Sequence, residues 1–293
     1  MCNQCPRACG VDRSCGQGFC GVSEAFRVAR AALHPWEEGF LSGTRGSGTV
    51  FFSGCNLRCV YCQNREISRE TLGKDLDAAA LKDLLLRLQE AGAHNINLVT
   101  PSHYALALVP VLEELRDVLR IPVVYNCGGY ESVDTLRRLE GLVDIYLPDF
   151  KYVDPVRAAK YSGAADYCDV ATRALREMLR QRGAPRMDAQ GMLSSGVVVR
   201  HLVLPGGRKD SVAVLRHLAE HFGTRDYLLS LMSQYTPAFA ADTAYPELHR
   251  RVTTFEYESV VQEAVRLGFA GCMQDRSSAS TDYTPDFYEK SFL

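Results

Sequence analysis

The chain has 293 residues, of which 46% are hydrophobic and 23% are charged, and its formal net charge is −2. This composition is typical of a globular protein with one large α/β domain and a small appendage, and it offers no basic field for nucleic acid. No apolar run approaches the roughly 20 residues of a membrane span, and the N-terminus lacks a signal-peptide pattern. We therefore expect a cytoplasmic protein with neither a membrane nor a nucleic-acid partner.

Residues 1–21 form a cysteine-rich segment with almost no aliphatic side chains. Such a segment can hardly fold by apolar burial alone, and a bound metal would replace the missing core. Closely spaced cysteines in a reducing compartment indicate metal ligands more often than disulfides. We predict a metal site formed by Cys2, Cys5, Cys9 and Cys20, with Cys15 as a possible substitute.

Four thiolates at this site suit either tetrahedral zinc or an auxiliary [4Fe–4S] cluster. The spacing differs from the tight Cys-x2-Cys-x2-Cys runs of ferredoxins, which favours structural zinc. The identity of the metal stays open at this point.

Residues 22–48 are interpreted as a connector, and 49–293 as the main domain. Six short runs of β-branched and aromatic residues predict strands at 49–53, 95–100, 122–126, 144–148, 197–204 and 227–232. Apolar residues at helical spacing separate them, and the first two such faces are Leu81, Leu84, Leu85 and Leu88, then Val109, Leu112, Leu115, Val118 and Leu119. The stretch 183–196 reads as a long surface loop. This alternation predicts a parallel sheet.

Polar side chains follow the predicted strands, where parallel α/β folds carry their chemistry. The most compact group is Cys55, Cys59 and Cys62, directly after the first strand. Three thiolates can hold three irons of a [4Fe–4S] cluster, whereas an electron-transfer cluster takes four cysteines. The fourth iron is then free to bind another molecule. Zinc is the competing interpretation, but zinc sites normally use four ligands.

The Cys-x3-Cys-x2-Cys spacing, with Tyr61 before the last cysteine, resembles the signature of the radical S-adenosylmethionine (SAM) superfamily. Further segments, which together span most of the chain, resemble the uncharacterised relatives of pyruvate formate-lyase activating enzyme: 54–64, 95–104, 125–130, 147–152, 200–206 and 231–235. The resemblance implies an α/β fold, a partial (β/α)6 barrel, which agrees with the six predicted strands. The small N-terminal cysteine-rich metal-binding segment, predicted from its own residues, is appended to this barrel.

The resemblance also implies which groups hold SAM. The activating enzymes carry a Gly-Gly-Glu segment after the second strand, and this chain has Thr100, Pro101, Ser102 and His103 there. The contact to the SAM amino group is therefore expected from the Thr100 or Ser102 hydroxyl, a backbone carbonyl or His103.

The remaining candidates follow the later strands. Asn126 stands where relatives have an aspartate, and Asp149 and Lys151 match the family's Asp-x-Lys motif, whose lysine could pair the SAM carboxylate. Arg200 and His201 are neighbours on a strand and point to opposite faces, so at most one of them faces the site. The resemblance implies that Arg200 is the one that faces SAM. Gln234 and Tyr235 are candidates for the rim, and the single cysteines Cys127, Cys168 and Cys272 are expected to be buried like small apolar residues.

The implied activity is reductive cleavage of SAM at the [4Fe–4S] cluster, which gives a 5′-deoxyadenosyl radical that abstracts a hydrogen atom. The substrate could be a backbone glycine of a partner enzyme, as for a glycyl-radical activase, or instead a small molecule or a peptide side chain. An electron donor such as flavodoxin or ferredoxin is expected. The competing class is a non-catalytic iron–sulfur or zinc protein, which would need no cavity beside the three cysteines.

Overall fold

A computed structural model describes residues 1–240, 243–275, 285, 287, 291 and 292. The rest of the predicted 49–293 domain lies outside the described residues. The strands are β1 (Phe26–His34), β2 (Ser47–Phe52), β3 (Lys74–Leu76), β4 (Ile96–Val99), β5 (Val123–Cys127), β6 (Ile145–Pro148), β7 (Arg186–Met187), β8 (Leu193–Leu202), β9 (Leu228–Met232) and β10 (Gly271–Met273). The helices are α1 (Gly39–Ser42), α2 (Arg65–Arg69), α3 (Ala78–Glu90), α4 (Ala105–Leu115), α5 (Val133–Arg138), α6 (Pro155–Ser162), α7 (Tyr167–Arg182), α8 (Arg208–Phe222) and α9 (Thr254–Leu267).

The strands form one sheet in the order β10-β9-β8-β6-β5-β4-β2-β1-β3. All neighbours from β2 to β10 along this path are parallel, whereas β1 is antiparallel to both β2 and β3, and β7 is antiparallel to β8. Within the described ranges, β3 and β10 are not joined, so the barrel is open. The α/β partial barrel predicted from the sequence is confirmed.

The six predicted strands correspond to β2, β4, β5, β6, β8 and β9. Every residue of β2, β4 and β6 is buried, as expected for parallel strands covered on both faces. Helix α3 buries Leu81, Leu84, Leu85 and Leu88. The helix begins where the Asp77 side chain accepts a hydrogen bond from the Ala80 N–H at 2.8 Å, which satisfies one of the free amides of its first turn. None of the helices in the described part of the chain is long and apolar enough to cross a membrane.

Three expectations about the elements differ from the structure. The connector 22–48 contains β1 and α1, and β1 buries Val28 and Ala31 while it pairs with β2. Its arginines at 27 and 30 break the apolar pattern that would have revealed it. The loop 183–196 contains β7 and the beginning of β8. Helix α4 ends at Leu115, so Val118 is 47% exposed and does not belong to the apolar face.

Candidate active site

A cavity of about 400 Å³ opens at the carboxyl ends of the parallel strands. Its walls include ten of the predicted site residues: Cys55, Cys59, Cys62, Thr100, Asn126, Asp149, Lys151, Arg200, Gln234 and Tyr235. These residues come from the ends of β2, β4, β5, β6, β8 and β9, so the open barrel brings together groups up to 180 positions apart. The volume lies within the range of small-molecule sites, about 300–1,000 Å³.

The three cysteines share one wall of this cavity. The Leu57 N–H points at the Cys55 sulfur, 3.3 Å away, and the Cys59 sulfur lies 3.0 Å from the Ser162 hydroxyl. Burial raises the pKa of the Cys55 thiol to about 12, and the nearby Cys59 sulfur adds to the rise. A buried thiolate here needs a cation to compensate its charge, and backbone amides directed at the sulfur are what iron–sulfur sites use to tune a cluster.

The donor set of this wall fits an iron–sulfur cluster, because thiolates are soft ligands that select iron–sulfur and zinc rather than Mg²⁺ or Ca²⁺. Asn64, two residues after Cys62, also lines the cavity, and its buried carboxamide oxygen has no hydrogen-bond partner among the described residues. That oxygen is an acceptor available to a bound molecule. Over the described ranges, no three or more His, Cys, Asp or Glu side chains already surround a single metal position.

Asp149 and Lys151 form an ion pair with 2.6 Å between Oδ2 and Nζ, and both line the cavity. Burial alone would lower the pKa of Lys151, but the Asp149 carboxylate outweighs it and raises the pKa well above its ordinary value. The ammonium is therefore charged. The Tyr167 hydroxyl accepts the Lys151 N–H at 3.0 Å and lies 2.8 Å from the Gly128 carbonyl oxygen. Sequence analysis did not identify Tyr167, which comes from α7.

Gly128 and Gly129 directly follow β5, at a place where neighbouring segments leave no room for a larger residue. Gly129 has φ +77°, and a β-carbon on it would lie 2.1 Å from the Asp149 carbonyl oxygen. A β-carbon on Gly128 would lie 2.8 Å from the Leu57 side chain. These glycines allow the ends of β5 and β6 and the cysteine loop to pack closely, which holds the Asp149–Lys151 pair beside the cysteines.

Thr100 adopts φ +58° at the end of β4, a conformation uncommon for a β-branched residue. The Thr100 N–H donates to the Asn126 carbonyl at 2.8 Å, and both residues line the cavity. The turn directs the next side chains away from the cavity. Ser102 donates to the Glu131 carboxylate at 2.5 Å, and the His103 Nε2 lies 2.8 Å from the Ser53 carbonyl oxygen.

The placement of Ser102 and His103 differs from the prediction, because both are fully buried and neither lines the cavity. Burial lowers the pKa of His103 to about 3, so the ring is neutral. Burial likewise raises the pKa of Glu131 to about 7, although hydrogen bonds from Ser102 and Tyr125 oppose the rise. Of the group at 100–103, Thr100 remains as the candidate cofactor contact.

Arg200 lines the cavity as predicted, and His201 points to the opposite face, with Nδ1 2.7 Å from the Phe150 carbonyl oxygen. The Arg200 guanidinium forms ion pairs with Glu37 and Glu38, and its Nε donates to Glu38 at 2.8 Å. All three side chains are nearly buried, with exposures of 11%, 8% and 6%. Burial alone would raise the pKa of Glu38, but Arg200 outweighs it and lowers the pKa.

Sequence analysis missed both glutamates, because they lie in the stretch interpreted as a connector. Glu37 also accepts a hydrogen bond from the Asn97 side chain at 2.8 Å. The two carboxylates therefore join the 22–48 segment to β4 and β8 at the base of the cavity.

The rim residues Gln234 and Tyr235 have different surroundings. The Gln234 side chain donates to Gln63 at 3.1 Å and accepts from Gln274 at 3.0 Å. Tyr235 is 3% exposed and donates to the Leu248 carbonyl. Tyr235 is thus part of the cavity wall, and Gln234 is the polar rim residue.

The remaining cysteines lie in three places. Cys127 is buried as predicted, whereas Cys168 and Cys272 are only partly buried. Cys127 and Cys272 line the cavity, and Cys168 lies beside His217. Cys2, Cys5, Cys9 and Cys20 lie outside the cavity, in the N-terminal segment.

The structure thus defines an open parallel α/β barrel with a cysteine-lined cavity at the carboxyl ends of its strands. The model of the radical SAM superfamily matches residues 49–218, more than half of the chain. The chain belongs to the radical SAM superfamily. Membership implies a [4Fe–4S] cluster and SAM as cofactors.

Two curated proteins and one solved structure show the range of relatives. The chain is 28% identical over 272 residues to an uncharacterized protein of Methanocaldococcus jannaschii, covering 90% of this chain and 74% of that protein. It is 32% identical over 127 residues to the pyruvate formate-lyase-activating enzyme of Clostridium pasteurianum, covering 40% of this chain and 50% of that enzyme. Streptococcus suis SuiB bound to the precursor peptide SuiA shares the fold, with a TM-score of 0.53 and 12% identity over 81% of this chain and 51% of that chain.

Proposed function

We propose that this chain is a radical SAM enzyme that cleaves SAM reductively and begins its reaction by abstracting a hydrogen atom from the substrate. The observation that carries the proposal is one cavity that gathers three cysteine thiols and the Asp149–Lys151 ion pair. A bound, reduced [4Fe–4S] cluster would supply the electron that splits SAM into methionine and a 5′-deoxyadenosyl radical.

The chain's own residues would bind and orient the cofactor. Lys151 is charged and lies in the wall beside the cysteines, so its ammonium would bind the SAM carboxylate, and Asp149 would fix its position. The hydroxyl of Thr100 and the carboxamide of Asn126 lie at the ends of β4 and β5, where they would accept hydrogen bonds from the SAM amino group.

The apolar part of the wall would exclude water from a reactive radical. Leu57, Val99, Met232 and Tyr235 line the cavity between the polar groups. Closing such a site suppresses side reactions of reactive intermediates with solvent. The electron must come from outside the chain, and we propose an external donor of the flavodoxin or ferredoxin type.

We propose a backbone glycine of a partner enzyme as the hydrogen donor. The 32% identity to a pyruvate formate-lyase-activating enzyme supports this substrate class. The cavity volume of about 400 Å³ is at the low end of the range for one ligand. With SAM bound inside, a substrate would approach the mouth as an extended loop. A small molecule or a peptide side chain is the second candidate and an outcome of the test.

The proposal is tested by reconstituting the protein anaerobically, adding SAM and dithionite, and measuring 5′-deoxyadenosine. Formation of 5′-deoxyadenosine by the wild type, and not by a Cys55→Ala, Cys59→Ala, Cys62→Ala variant, is the expected result. No product from fully reconstituted wild type would place the protein in the non-catalytic iron–sulfur class. The substrate is tested by adding a glycyl-radical enzyme deuterated at glycine and measuring deuterium in the 5′-deoxyadenosine. SAM cleavage without deuterium transfer would favour a different substrate.

A further inference from the structure

The N-terminal segment contains a second group of four cysteines, Cys2, Cys5, Cys9 and Cys20. The Cys2 N–H donates to the Val11 carbonyl at 2.8 Å and the Gly10 N–H donates to the Cys2 carbonyl at 3.0 Å, so Cys2 lies beside the stretch that follows Cys9. Cys5 and Cys20 are buried, whereas Cys9 is exposed. Cys15 is different, because it is exposed and its sulfur contacts the Asp12 carbonyl at 3.7 Å. The fifth cysteine is therefore not part of the group.

Gly18 shows that two of these sulfurs face the same point. A β-carbon on Gly18 would lie 3.0 Å from the Cys9 sulfur and 3.6 Å from the Cys20 sulfur. The first distance is shorter than ordinary van der Waals contact. The thiols of Cys9 and Cys20, eleven positions apart, thus border the space beside Gly18, which a larger residue would fill.

The segment is attached to the loop that carries the radical SAM cysteines. The Cys20 carbonyl accepts the Cys55 N–H at 3.3 Å. The Arg7 guanidinium donates to the Asn56 carbonyl at 2.7 Å and to the Ser162 carbonyl at 2.8 Å. Residues 1–21 contain no helix or strand, and the large apolar Phe19 is 41% exposed, so apolar burial contributes little to holding the segment in place.

We infer that Cys2, Cys5, Cys9 and Cys20 bind a thiophilic metal centre, either a zinc ion or an iron–sulfur cluster, and that this centre holds the Cys55 loop in place. Four thiolates match the ligand sets of both centres. The metal supplies the stabilisation that the segment lacks in apolar core. The contacts of Cys20 and Arg7 connect the metal-bound segment to the Cys55 loop and so hold that loop in place. This second role rests on the proposed function, in which the Cys55 loop binds the [4Fe–4S] cluster.

Metal analysis tests the site without the radical SAM cluster. The variant with Cys55, Cys59 and Cys62 changed to Ala is purified anaerobically and its metals are counted. About one zinc or about four irons per chain is the expected result, and the two counts identify the centre. Adding Cys9→Ser should abolish that metal, and Cys15→Ser should leave it unchanged. Because Cys9 is exposed, its substitution removes a ligand without opening a cavity in the core. Metal-free protein, or metal unaffected by Cys9→Ser, would overturn the proposal.

The second role, in which the metal centre holds the Cys55 loop in place, is tested separately in the chain with an intact Cys55 loop. Cys9→Ser should make residues 1–21 sensitive to protease and should speed the loss of iron from the Cys55 site to a chelator several-fold. Gly18→Ala should act in the same direction, because its methyl group would press on the Cys9 and Cys20 sulfurs. Unchanged rates of proteolysis and of iron loss in both variants would show that the metal centre does not hold the Cys55 loop in place. Neither experiment depends on SAM cleavage, so failure here is distinct from failure of the proposed activity.

Discussion

Replacing Lys151 by methionine should weaken SAM binding while leaving the fold and the cluster in place. Lys151 is 17% exposed, and its ion-pair partner among the described residues is Asp149, which is 30% exposed. Methionine keeps the length of the side chain and its packing but removes the charge. Asp149 remains partly solvated, so the unpaired carboxylate costs at most about 1 kcal/mol of folding free energy.

The expected loss in binding follows from the bond that is removed. A hydrogen bond to a charged group contributes about 1.5–3 kcal/mol. Since about 1.4 kcal/mol corresponds to a tenfold change in affinity, Kd for SAM should rise by roughly 10- to 150-fold. Asp149→Asn should have a smaller effect, because the lysine is retained and loses only its fixed position.

Isothermal titration of reconstituted protein with SAM measures this change, with iron content and thermal midpoint recorded for each variant. Lys82→Met is the matched control, because Lys82 also forms an ion pair with a carboxylate, that of Glu114, but does not line the cavity. An affinity for SAM within twofold of wild type in Lys151→Met, at equal iron content, would refute the assignment of Lys151.

Three further outcomes are expected. Changing Cys55, Cys59 and Cys62 to Ala should remove the SAM-responsive signal of a reduced cluster in electron paramagnetic resonance and leave the far-ultraviolet circular dichroism unchanged. A triple variant that still cleaves SAM would contradict the cluster assignment. Arg200→Met should lower the free energy of unfolding in urea by about 3–5 kcal/mol, because two buried carboxylates lose their cation. A loss under 1 kcal/mol would show that the ion pairs of Arg200 with Glu37 and Glu38 are not needed for stability. Glu131→Gln should flatten the pH dependence of stability. The unfolded carboxyl titrates near 4.5 and the folded one near 7, so stability falls by about 3 kcal/mol as pH rises through this window. Urea unfolding at pH 5 and pH 8 measures the fall, and an equal fall in wild type and variant would rule out Glu131 as its source.

The strands and the cysteine loop could be predicted because their signals are local. The apolar runs of β2, β4 and β6 are short and continuous, and turn residues bound them on both sides. The loop from Cys55 to Cys62 has its whole pattern within eight residues. Asp149 and Lys151 were identified for the same reason, since two positions along an extended chain place both side chains on one face.

The orientation of Ser102 and His103 could not be predicted, because it depends on one backbone angle. Thr100 has φ +58°, a conformation that is expected from the sequence at glycine or asparagine but not at threonine. The Thr100 N–H bond to Asn126 on the neighbouring strand helps to hold this turn. This tertiary hydrogen bond accompanies a conformation that opposes the local preference, and the Ser102 and His103 side chains contact Glu131 and the Ser53 carbonyl oxygen rather than the cavity.

The partners of Arg200 could not be predicted from the sequence either, and they change its expected role. Glu37 and Glu38 lie more than 160 positions away along the chain, and only the sheet brings them to Arg200. One guanidinium with two nearly buried carboxylates carries a net negative charge, so this group does not attract the carboxylate of SAM. Lys151 has a single partly exposed carboxylate beside it, and the Cys59 sulfur contributes to raising its pKa. Of the cations that line the cavity among the described residues, we therefore propose Lys151 rather than Arg200 as the one that binds SAM, whereas the ion pairs of Arg200 join the 22–48 segment to β8.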